Sequence, residues 1–203
     1  MSMLKQWDKA IEELAKNDDI MSNIISQYPK ERMIMKNNTL HTLIRSIVGQ
    51  QISVKAADAI WNRLDEACKF EISEENILDL SKIELRELGL SNTKADYIFN
   101  VVNANITKIN WDILEDNEII DKLCEIKGIG PWTAEMFLIF RLGRPNVLPL
   151  GDIGLINAIN LHYNNKEKLS KPELVEFKDK WSPWCSVATW YMWRSLDPIP
   201  VEY

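Results

Sequence analysis

Apolar residues recur at helical spacing along almost the whole chain. The pattern begins with apolar side chains at steps of three and four residues, at Leu4, Trp7, Ile11 and Leu14. The same spacing predicts helices over 40–48, 54–64, 91–102, 119–123, 131–142 and 152–159, a weaker pair of short helices over 77–88, and a last helix that holds Trp184, Trp190 and Trp193. Alternation with period two never lasts more than a few residues. The pattern therefore predicts an all-α fold.

Residues that start or stop helices lie between these segments. Ser53 is placed to cap a helix that begins at the next residue, and Gly89 fits a break between two helices. Pro131 suits a first helical turn, and Ser182-Pro183 is predicted to cap the last helix. The segment GRPNVLPLG, residues 143–151, is rich in Pro and Gly and is predicted to be a loop.

Nothing in the sequence marks a flexible linker, an internal repeat or a low-complexity segment. A length of 203 residues suits one large domain, or two small ones that share a core. We predict a single domain, 1–203, of two helical lobes. One lobe covers about 40–130, and the other combines 1–39 with 131–203. A cleft between the lobes is the expected site.

Composition narrows the class of protein. Gly and Pro number only 7 and 8, too few for the turns of a many-stranded β protein, and 46% hydrophobic residues exclude a disordered chain. Cys68, Cys124 and Cys185 are odd in number and lack C-x-x-C spacing, so we expect reduced thiols. The start of the chain lacks the apolar segment of a signal peptide, and no apolar run approaches a membrane span. These features predict a soluble intracellular protein without a membrane partner.

Net charge is −6, with a pI near 5.1, which on its face argues against a nucleic-acid partner. The balance differs locally. Residues 127–144 hold Lys127, Arg141 and Arg144 against Glu135, a sum of 3 − 1 = +2. Acidity is therefore expected on other faces of the protein.

The segment LCEIKGIGPWTAEM, residues 123–136, predicts two helices joined by a tight turn through Gly128 and Gly130. Bare backbone N–H groups at the start of the second helix can hold a phosphate without side-chain charge. The backbone carbonyls of Cys124, Ile126 and Ile129 are candidates for a structural Na⁺ or K⁺. A glycine cap needed by any helix–turn–helix is the alternative interpretation of the two glycines.

The longer pattern resembles the helix-hairpin-helix DNA glycosylases, and within them the 3-methyladenine DNA glycosylase II family. Their hairpin reads L-x-x-I-x-G-I-G-x-x-T-A, which this chain matches. The matching positions are Leu123, Ile126, Gly128, Ile129, Gly130, Thr133 and Ala134. LIRSIVGQQIS (43–53), LGLSNTKADYI (88–98), LPLGDIGL (148–155) and WSPWCSVATWYMWR (181–194) extend the likeness. Five ordered blocks cover about 40–195, and the resemblance implies two helical lobes with a cleft for DNA and the target base.

The resemblance implies that Asp152 is the catalytic carboxylate. A carboxylate beside the sugar stabilises the positive charge that develops there as the base departs, and it can orient the attacking water. The alternative is a plain N-cap, which the position of Asp152 also suits.

Hydrolysis without strand cleavage is the activity implied. Bifunctional relatives carry a Schiff-base Lys two residues after the second hairpin Gly, where this chain has Trp132, and Lys127 lies on the other side of the glycines. The resemblance therefore implies a monofunctional hydrolase with no lyase activity.

Pocket and DNA-binding positions follow from the same resemblance. Trp132 and Trp193 occupy base-pocket positions, where aromatic faces attract a cationic alkylated purine; core packing is the alternative for each. Met136 also lies in the pocket, at a position where some relatives carry Tyr. Cys185 stands where many relatives carry Arg.

DNA contacts are expected from one set of residues: Lys127, Gly128, Gly130, Thr133, Gln51 and Ser53. Gln51 is the candidate plug for the space that a flipped base vacates, with Gln50 and Ser53 as supports. An exposed polar residue at a helix boundary is the alternative for Gln51.

The resemblance therefore implies a base excision repair enzyme that flips and removes alkylated purines from damaged double-stranded DNA, and we expect it to act as a monomer. No cofactor is expected, and no iron–sulfur cluster, because the motif C-x6-C-x2-C-x5-C is missing. The location would be cytoplasmic, with the nucleoid, in a bacterium and nuclear in a eukaryote. Two alternatives stay open: a non-catalytic helix-hairpin-helix DNA-binding protein, and a glycosylase for deaminated or mismatched bases.

Overall fold

A computed structural model describes residues 3–35 and 38–197. Throughout those residues the regular structure is helical and no strand forms, which confirms the all-α prediction. The α-helices are α1 (Trp7–Asn17), α2 (Asp19–Gln27), α3 (Thr39–Gly49), α4 (Val54–Ala67), α5 (Glu74–Leu78), α6 (Lys82–Glu87), α7 (Asn92–Asn103), α8 (Asp116–Cys124), α9 (Pro131–Phe140), α10 (Ile153–Tyr163), α11 (Lys171–Trp181) and α12 (Cys185–Arg194). Short 3₁₀ helices cover Met3–Gln6, Ile106–Lys108 and Trp111–Ile113. None of the helices described is long and apolar enough to cross a membrane.

The described chain divides into two compact units. One, here called the contiguous unit, is formed by 38–137. The other, the discontinuous unit, combines 3–35 with 138–197. The division falls inside α9, between Phe137 and Leu138.

Helix α3 lies at the centre of the contiguous unit and packs against α4 and α7. It buries seven of its eleven side chains, and α7 buries an apolar stripe at steps of three and four: Ala95, Ile98, Val101 and Val102. Full burial of one such aliphatic side chain contributes about 1.5–3 kcal/mol, so this contact is a main source of the unit's stability.

Serine caps begin four consecutive helices of this unit. Ser53, Ser73, Ser81 and Ser91 each accept a backbone N–H from the first turn of α4, α5, α6 and α7, respectively. After α6, Gly89 adopts a φ of +105°, as the predicted break requires. Local sequence therefore fixes the helix boundaries that bring α7 alongside α3.

Helix α12 forms the core of the discontinuous unit, and nine of its ten residues are buried. It packs against α1, α2, α10 and α11. Trp7 of α1 meets Trp190 edge to face, with ring centroids 5.4 Å apart. Such aromatic pairs contribute beyond their buried area, and here the pair joins the start of the chain to its end.

A buried carboxylate, Asp18, ties three helices of this unit together. Asp18 is 6% exposed and caps α2 by accepting the N–H groups of Ile20 and Met21. Its Oδ2 accepts the Tyr163 hydroxyl at 2.6 Å and the Trp181 indole at 3.3 Å, and Lys180 lies at 3.2 Å.

Burial on its own would raise the pKa of Asp18. The hydrogen bonds from Tyr163, Met21 and Trp181 and the charge of Lys180 outweigh burial and hold the pKa below its ordinary value. The ionised carboxylate is therefore the form that stabilises the fold.

Two helix boundaries differ from prediction. Ser182 was expected to cap the last helix, but it is the C-cap of α11, because its hydroxyl donates to the Lys178 carbonyl at 2.7 Å. Helix α12 begins at Cys185, with Trp184 at its N-cap and no side-chain cap bond. Helix α9 ends at Phe140 rather than near 142, where the Arg144 N–H returns to the Leu138 carbonyl at 2.9 Å.

Candidate active site

Asp152 is both a helix cap and the acceptor of a buried indole. It begins α10, and its Oδ1 accepts the Leu155 N–H at 2.6 Å and the Trp193 Nε1–H at 2.8 Å. Its own N–H donates to the Pro149 carbonyl at 2.9 Å, so the preceding loop is folded back on the cap. Two hydrogen bonds to one oxygen fix the plane of the half-exposed carboxylate.

Trp193 is held in place from its other side. The side chain is 7% exposed and stacks on Phe140, with centroids 5.9 Å apart and planes at 13°. A Cβ at Gly154 would come within 3.1 Å of Asp152 Oδ1 and 3.4 Å of Trp193 Cδ1, so the first turn of α10 suits glycine there. The indole therefore positions the carboxylate, a role that the sequence did not indicate; its predicted contact with a base stays a prediction.

The hairpin turn between α8 and α9 is formed as predicted, around Gly128 and Gly130. Gly128 has a φ of +111°, and a Cβ there would lie 2.2 Å from Cγ of Tyr97. Gly130 has no neighbour within 4 Å of an added Cβ and stands directly before Pro131, the first residue of α9. The first glycine is required by the fold, while the second leaves open space at a helix start.

Gln50 braces this turn from the end of α3. Its Nε2 donates to the Gly128 carbonyl at 3.1 Å and to Thr133 Oγ1 at 3.2 Å. Thr133 is 1% exposed, so it acts inside the contiguous unit and its predicted DNA contact is untested. Gln50 thus connects the turn that carries Gln51 to the hairpin.

Helix α7 supplies a second brace, which the sequence analysis missed. Lys94, Tyr97 and Asn100 follow one another at steps of three, so they share a face. Lys94 donates to the Val48 carbonyl at 2.8 Å, and Asn100 donates to the Lys127 carbonyl at 2.9 Å. Burial lowers the pKa of Lys94. The block LGLSNTKADYI contains Lys94 and Tyr97, but the residues that this face of α7 contacts lie 27 or more residues away along the chain, so the sequence did not indicate them.

Gln51 is exposed and has a left-handed backbone, with φ at +58°. A non-glycine residue at positive φ is uncommon, and such strain often marks a functional position. Ser53 caps α4 by accepting the Ala56 N–H at 3.3 Å, so its role in the structure is local. Between them, Ile52 keeps 39% of its surface exposed.

Three other residues singled out by the sequence differ in exposure. Trp132 is partly exposed on α9, whereas Met136 is 1% exposed and lies in the core of the contiguous unit. Cys185 is fully buried, and burial raises the pKa of its thiol. No cysteine of the described chain is in a disulfide.

The candidate cation site uses the same hairpin. The Ile126 carbonyl accepts the Ile129 N–H at 3.0 Å, and a carbonyl oxygen has a second lone pair for a cation. The described residues contain no group of three His, Cys, Asp or Glu side chains able to hold a metal ion. A monovalent cation on the carbonyls of Cys124, Ile126 and Ile129 stays a prediction.

Comparison with known proteins identifies the family. Residues 44–183 match the family model of the HhH-GPD superfamily base excision DNA repair proteins. DNA-3-methyladenine glycosylase 1 of Schizosaccharomyces pombe is 32% identical over 180 residues, covering 85% of this chain and 78% of that protein. A DNA-3-methyladenine glycosylase of Bacillus subtilis is 28% identical over 204 residues, covering 91% of this chain and 66% of that protein.

Solved structures agree. The Schizosaccharomyces pombe 3-methyladenine DNA glycosylase in complex with abasic DNA has a TM-score of 0.81 at 29% identity, covering 92% of this chain and 96% of that one. A DNA-3-methyladenine glycosidase from Bacillus halodurans has a TM-score of 0.71 at 32% identity, covering 92% and 88%. The hairpin, the capped carboxylate and these matches agree that the chain belongs to the HhH-GPD superfamily of base excision DNA repair proteins.

Proposed function

We propose that the chain is a monofunctional DNA glycosylase that hydrolyses the N-glycosidic bond of alkylated purines, of the 3-methyladenine and 7-methylguanine type, in damaged double-stranded DNA. It acts as a monomer. The observation that carries the proposal is the carboxylate of Asp152, fixed by Leu155 N–H and the Trp193 indole. Relatives named as 3-methyladenine DNA glycosylases support the substrate class.

Asp152 acts on the sugar of a flipped nucleotide. Positive charge develops on the sugar as the base leaves, and the carboxylate lowers the energy of that state and orients the incoming water. Because two donors already hold Oδ1, little reorientation is needed when the charge appears. Methylated purines leave readily since the base is cationic, so no strong acid is needed to protonate it.

The hairpin turn and Gln51 hold the DNA in this proposal. Backbone N–H groups after Gly128 hold a phosphate at the start of α9, and Lys127 adds one positive charge. Gln51 fills the space left by the flipped base. A Na⁺ or K⁺ on the hairpin carbonyls belongs to the same proposal, which includes no catalytic cofactor and no iron–sulfur cluster.

The absence of a Lys at position 132 supports hydrolysis over lyase chemistry. Borohydride added during turnover is expected to trap no enzyme–DNA adduct. A trapped adduct would contradict the monofunctional part of the proposal and leave the glycosylase part intact.

The deciding experiment compares wild type with Asp152→Asn on alkylated DNA. Asparagine keeps an oxygen acceptor for Leu155 N–H and the Trp193 indole, so the cap survives while the negative charge is lost. Release of free 3-methyladenine and 7-methylguanine should fall by about 10²–10³-fold with DNA affinity retained. Asp19→Asn, an exposed charge in the first turn of α2, is the matched control and should keep full activity.

The two alternatives give different results. A non-catalytic DNA-binding protein would bind duplexes yet release no base from any lesion. A glycosylase for deaminated or mismatched bases would act on those duplexes in a lesion panel and ignore alkylated purines. The first result would overturn the proposed activity, and the second would overturn the proposed substrate.

A further inference from the structure

A surface groove of about 270 Å³ opens in the discontinuous unit, one residue beyond Asp152. It is lined by Ile153, Ile156, Asn157, Asn160, Lys168 and Leu169. One wall is therefore the exposed side of α10, and the other is the segment that leads to α11. Neither the hairpin nor the carboxylate uses these side chains.

The lining combines apolar surface with hydrogen-bond donors. Ile153, the residue after Asp152, is 74% exposed, so its aliphatic side chain is open to a ligand. Asn160 is only 6% exposed, and its Oδ1 accepts the Leu169 N–H at 2.9 Å. The Nδ2 amide is the other polar group of the Asn160 side chain, and it can donate a hydrogen bond to a ligand. Asn157 is an exposed amide, and Lys168 an exposed cation.

Charge around the groove is opposite to that of the whole protein. Residues 164–169 hold Lys166 and Lys168 against Glu167, a sum of 2 − 1 = +1, while the chain carries −6. A cation with amide donors above an aliphatic floor fits a ligand that alternates anionic oxygens with apolar carbon. The sugar–phosphate backbone of DNA has that alternation, and half or more of protein–DNA hydrogen bonds go to phosphate and sugar.

The length of the groove also fits a DNA strand. Asn160 lies eight residues beyond Asp152, or about 12 Å along α10 at about 1.5 Å per residue. DNA rises about 3.4 Å per base pair, so a strand that followed α10 would pass about three to four base-pair steps over that length.

We propose that this groove binds the sugar–phosphate backbone of the lesion-carrying strand on one side of the flipped nucleotide. Ile153 packs against a deoxyribose, and Lys168 with the amides of Asn157 and Asn160 contacts phosphate oxygens. The inference rests on the proposed function, because it takes Asp152 as the position of the flipped sugar.

Salt dependence of binding tests the proposal. Wild type, Lys168→Met and the control Lys171→Met are titrated by fluorescence anisotropy with a duplex that carries an abasic-site analogue. Each lost phosphate contact reduces the steepness of the plot of log K against log salt concentration by about 0.9. Wild type should therefore bind more tightly than Lys168→Met at 50 mM KCl, and the ratio of their binding constants should fall about threefold by 200 mM KCl. Lys171 begins α11 and is equally exposed but does not line the groove, so Lys171→Met should keep the wild-type slope.

A second variant and shortened duplexes separate a DNA contact from a general charge effect. Asn157→Asp puts a negative charge in the groove at nearly constant shape and should weaken binding several-fold. The changes in DNA binding caused by Lys168→Met and Asn157→Asp should both vanish when the lesion strand is shortened on one side of the abasic-site analogue. They should both persist when the strand is shortened on the other side. An unchanged slope in Lys168→Met, or effects on binding that are the same for both truncated duplexes, would overturn the inference.

Base release by wild type is scored separately from these binding measurements. If wild type releases no base while Lys168→Met still changes the slope, the proposed function fails and the groove stands as a DNA contact. If wild type is active and the slope is unchanged, only the groove inference fails.

Discussion

Gly128→Ala is expected to destabilise the protein severely, whereas Gly130→Ala, two residues away, is not. An alanine Cβ at position 128 would lie 2.2 Å from Cγ of Tyr97 and 2.5 Å from its Cβ, far inside contact distance. It would also need a φ of +111°, which L-residues rarely adopt. At Gly130 the Cβ enters open space, and φ lies outside the positive range.

The magnitude follows from these two costs. Backbone strain at such a position costs about 1–3 kcal/mol, and overpacking against a fixed ring costs about 1–3 kcal/mol. Together they reduce the free energy of unfolding by about 2–6 kcal/mol, a large part of the 5–15 kcal/mol or so that is typical of whole proteins. Gly130→Ala should instead stabilise by about 0.4–1 kcal/mol, because it restricts the unfolded chain.

Urea unfolding of the two variants, followed by circular dichroism, measures the difference. A double-mutant cycle with Tyr97→Ala measures the part of the loss that comes from the ring, since Cγ and Cδ1 are removed while the Cβ contact at 2.5 Å remains. DNA affinity should separate the two variants further: Gly130→Ala should fold well yet bind DNA less tightly, because its methyl group fills open space in which a phosphate would approach the start of α9. Equal stabilities for Gly128→Ala and Gly130→Ala would refute the reasoning.

Two further outcomes follow from hydrogen bonds to carboxylates. Trp193→Phe keeps a ring against Phe140 but loses the donor to Asp152, so single-turnover base release should fall about tenfold or more with unchanged DNA affinity; full activity would show that the indole does not position the carboxylate. Asp18→Asn should lower the free energy of unfolding at pH 7. Because the folded pKa of Asp18 lies below its ordinary value, its stabilisation is present above that ordinary value and is lost as pH falls through the folded pKa. Urea unfolding at pH 7 and pH 3 should therefore show a smaller gap between wild type and variant at pH 3, and a larger gap there would contradict the role assigned to Asp18.

The predictable parts of the fold are those set by short-range sequence. Ser53, Ser91 and Gly89 were correctly placed at helix boundaries, because their caps involve residues within one turn. Ser182 was predicted to cap the helix that follows it, but a serine at a helix boundary can bond to either neighbouring helix. Its hydroxyl donates to the Lys178 carbonyl of the preceding helix α11 instead.

Helices α2 and α11 were not predicted, although signals for both were present. In α2, Met21, Ile24 and Ile25 are buried at helical spacing. Helix α11 is preceded by a capping box, in which Ser170 and Glu173 bond reciprocally. Polar residues outnumber apolar ones in both helices, so their apolar pattern is weak until they pack against α12.

The candidate site was only partly accessible to sequence reasoning. Asp152 and the hairpin glycines could be assigned from ordered motifs, and Asp152 proved to be a cap as well as a candidate catalyst. Contacts between distant segments could not be predicted, because helical spacing says nothing about which faces meet. The ring of Tyr97 on Gly128 and the Trp193 indole on Asp152 are contacts of this kind.

The discontinuous unit has a consequence for synthesis on the ribosome. Its first segment ends at residue 35 and its second begins at residue 138, so 102 intervening residues must be made before the two can meet. At about 5–20 residues per second this takes about 5–20 s. Throughout that interval, and until α12 (Cys185–Arg194) has also been made, the apolar side of α1, with Trp7 and Leu14, has no α12 to cover it. The nascent chain should therefore leave the apolar side of α1 exposed while the contiguous unit, made in one stretch, folds first.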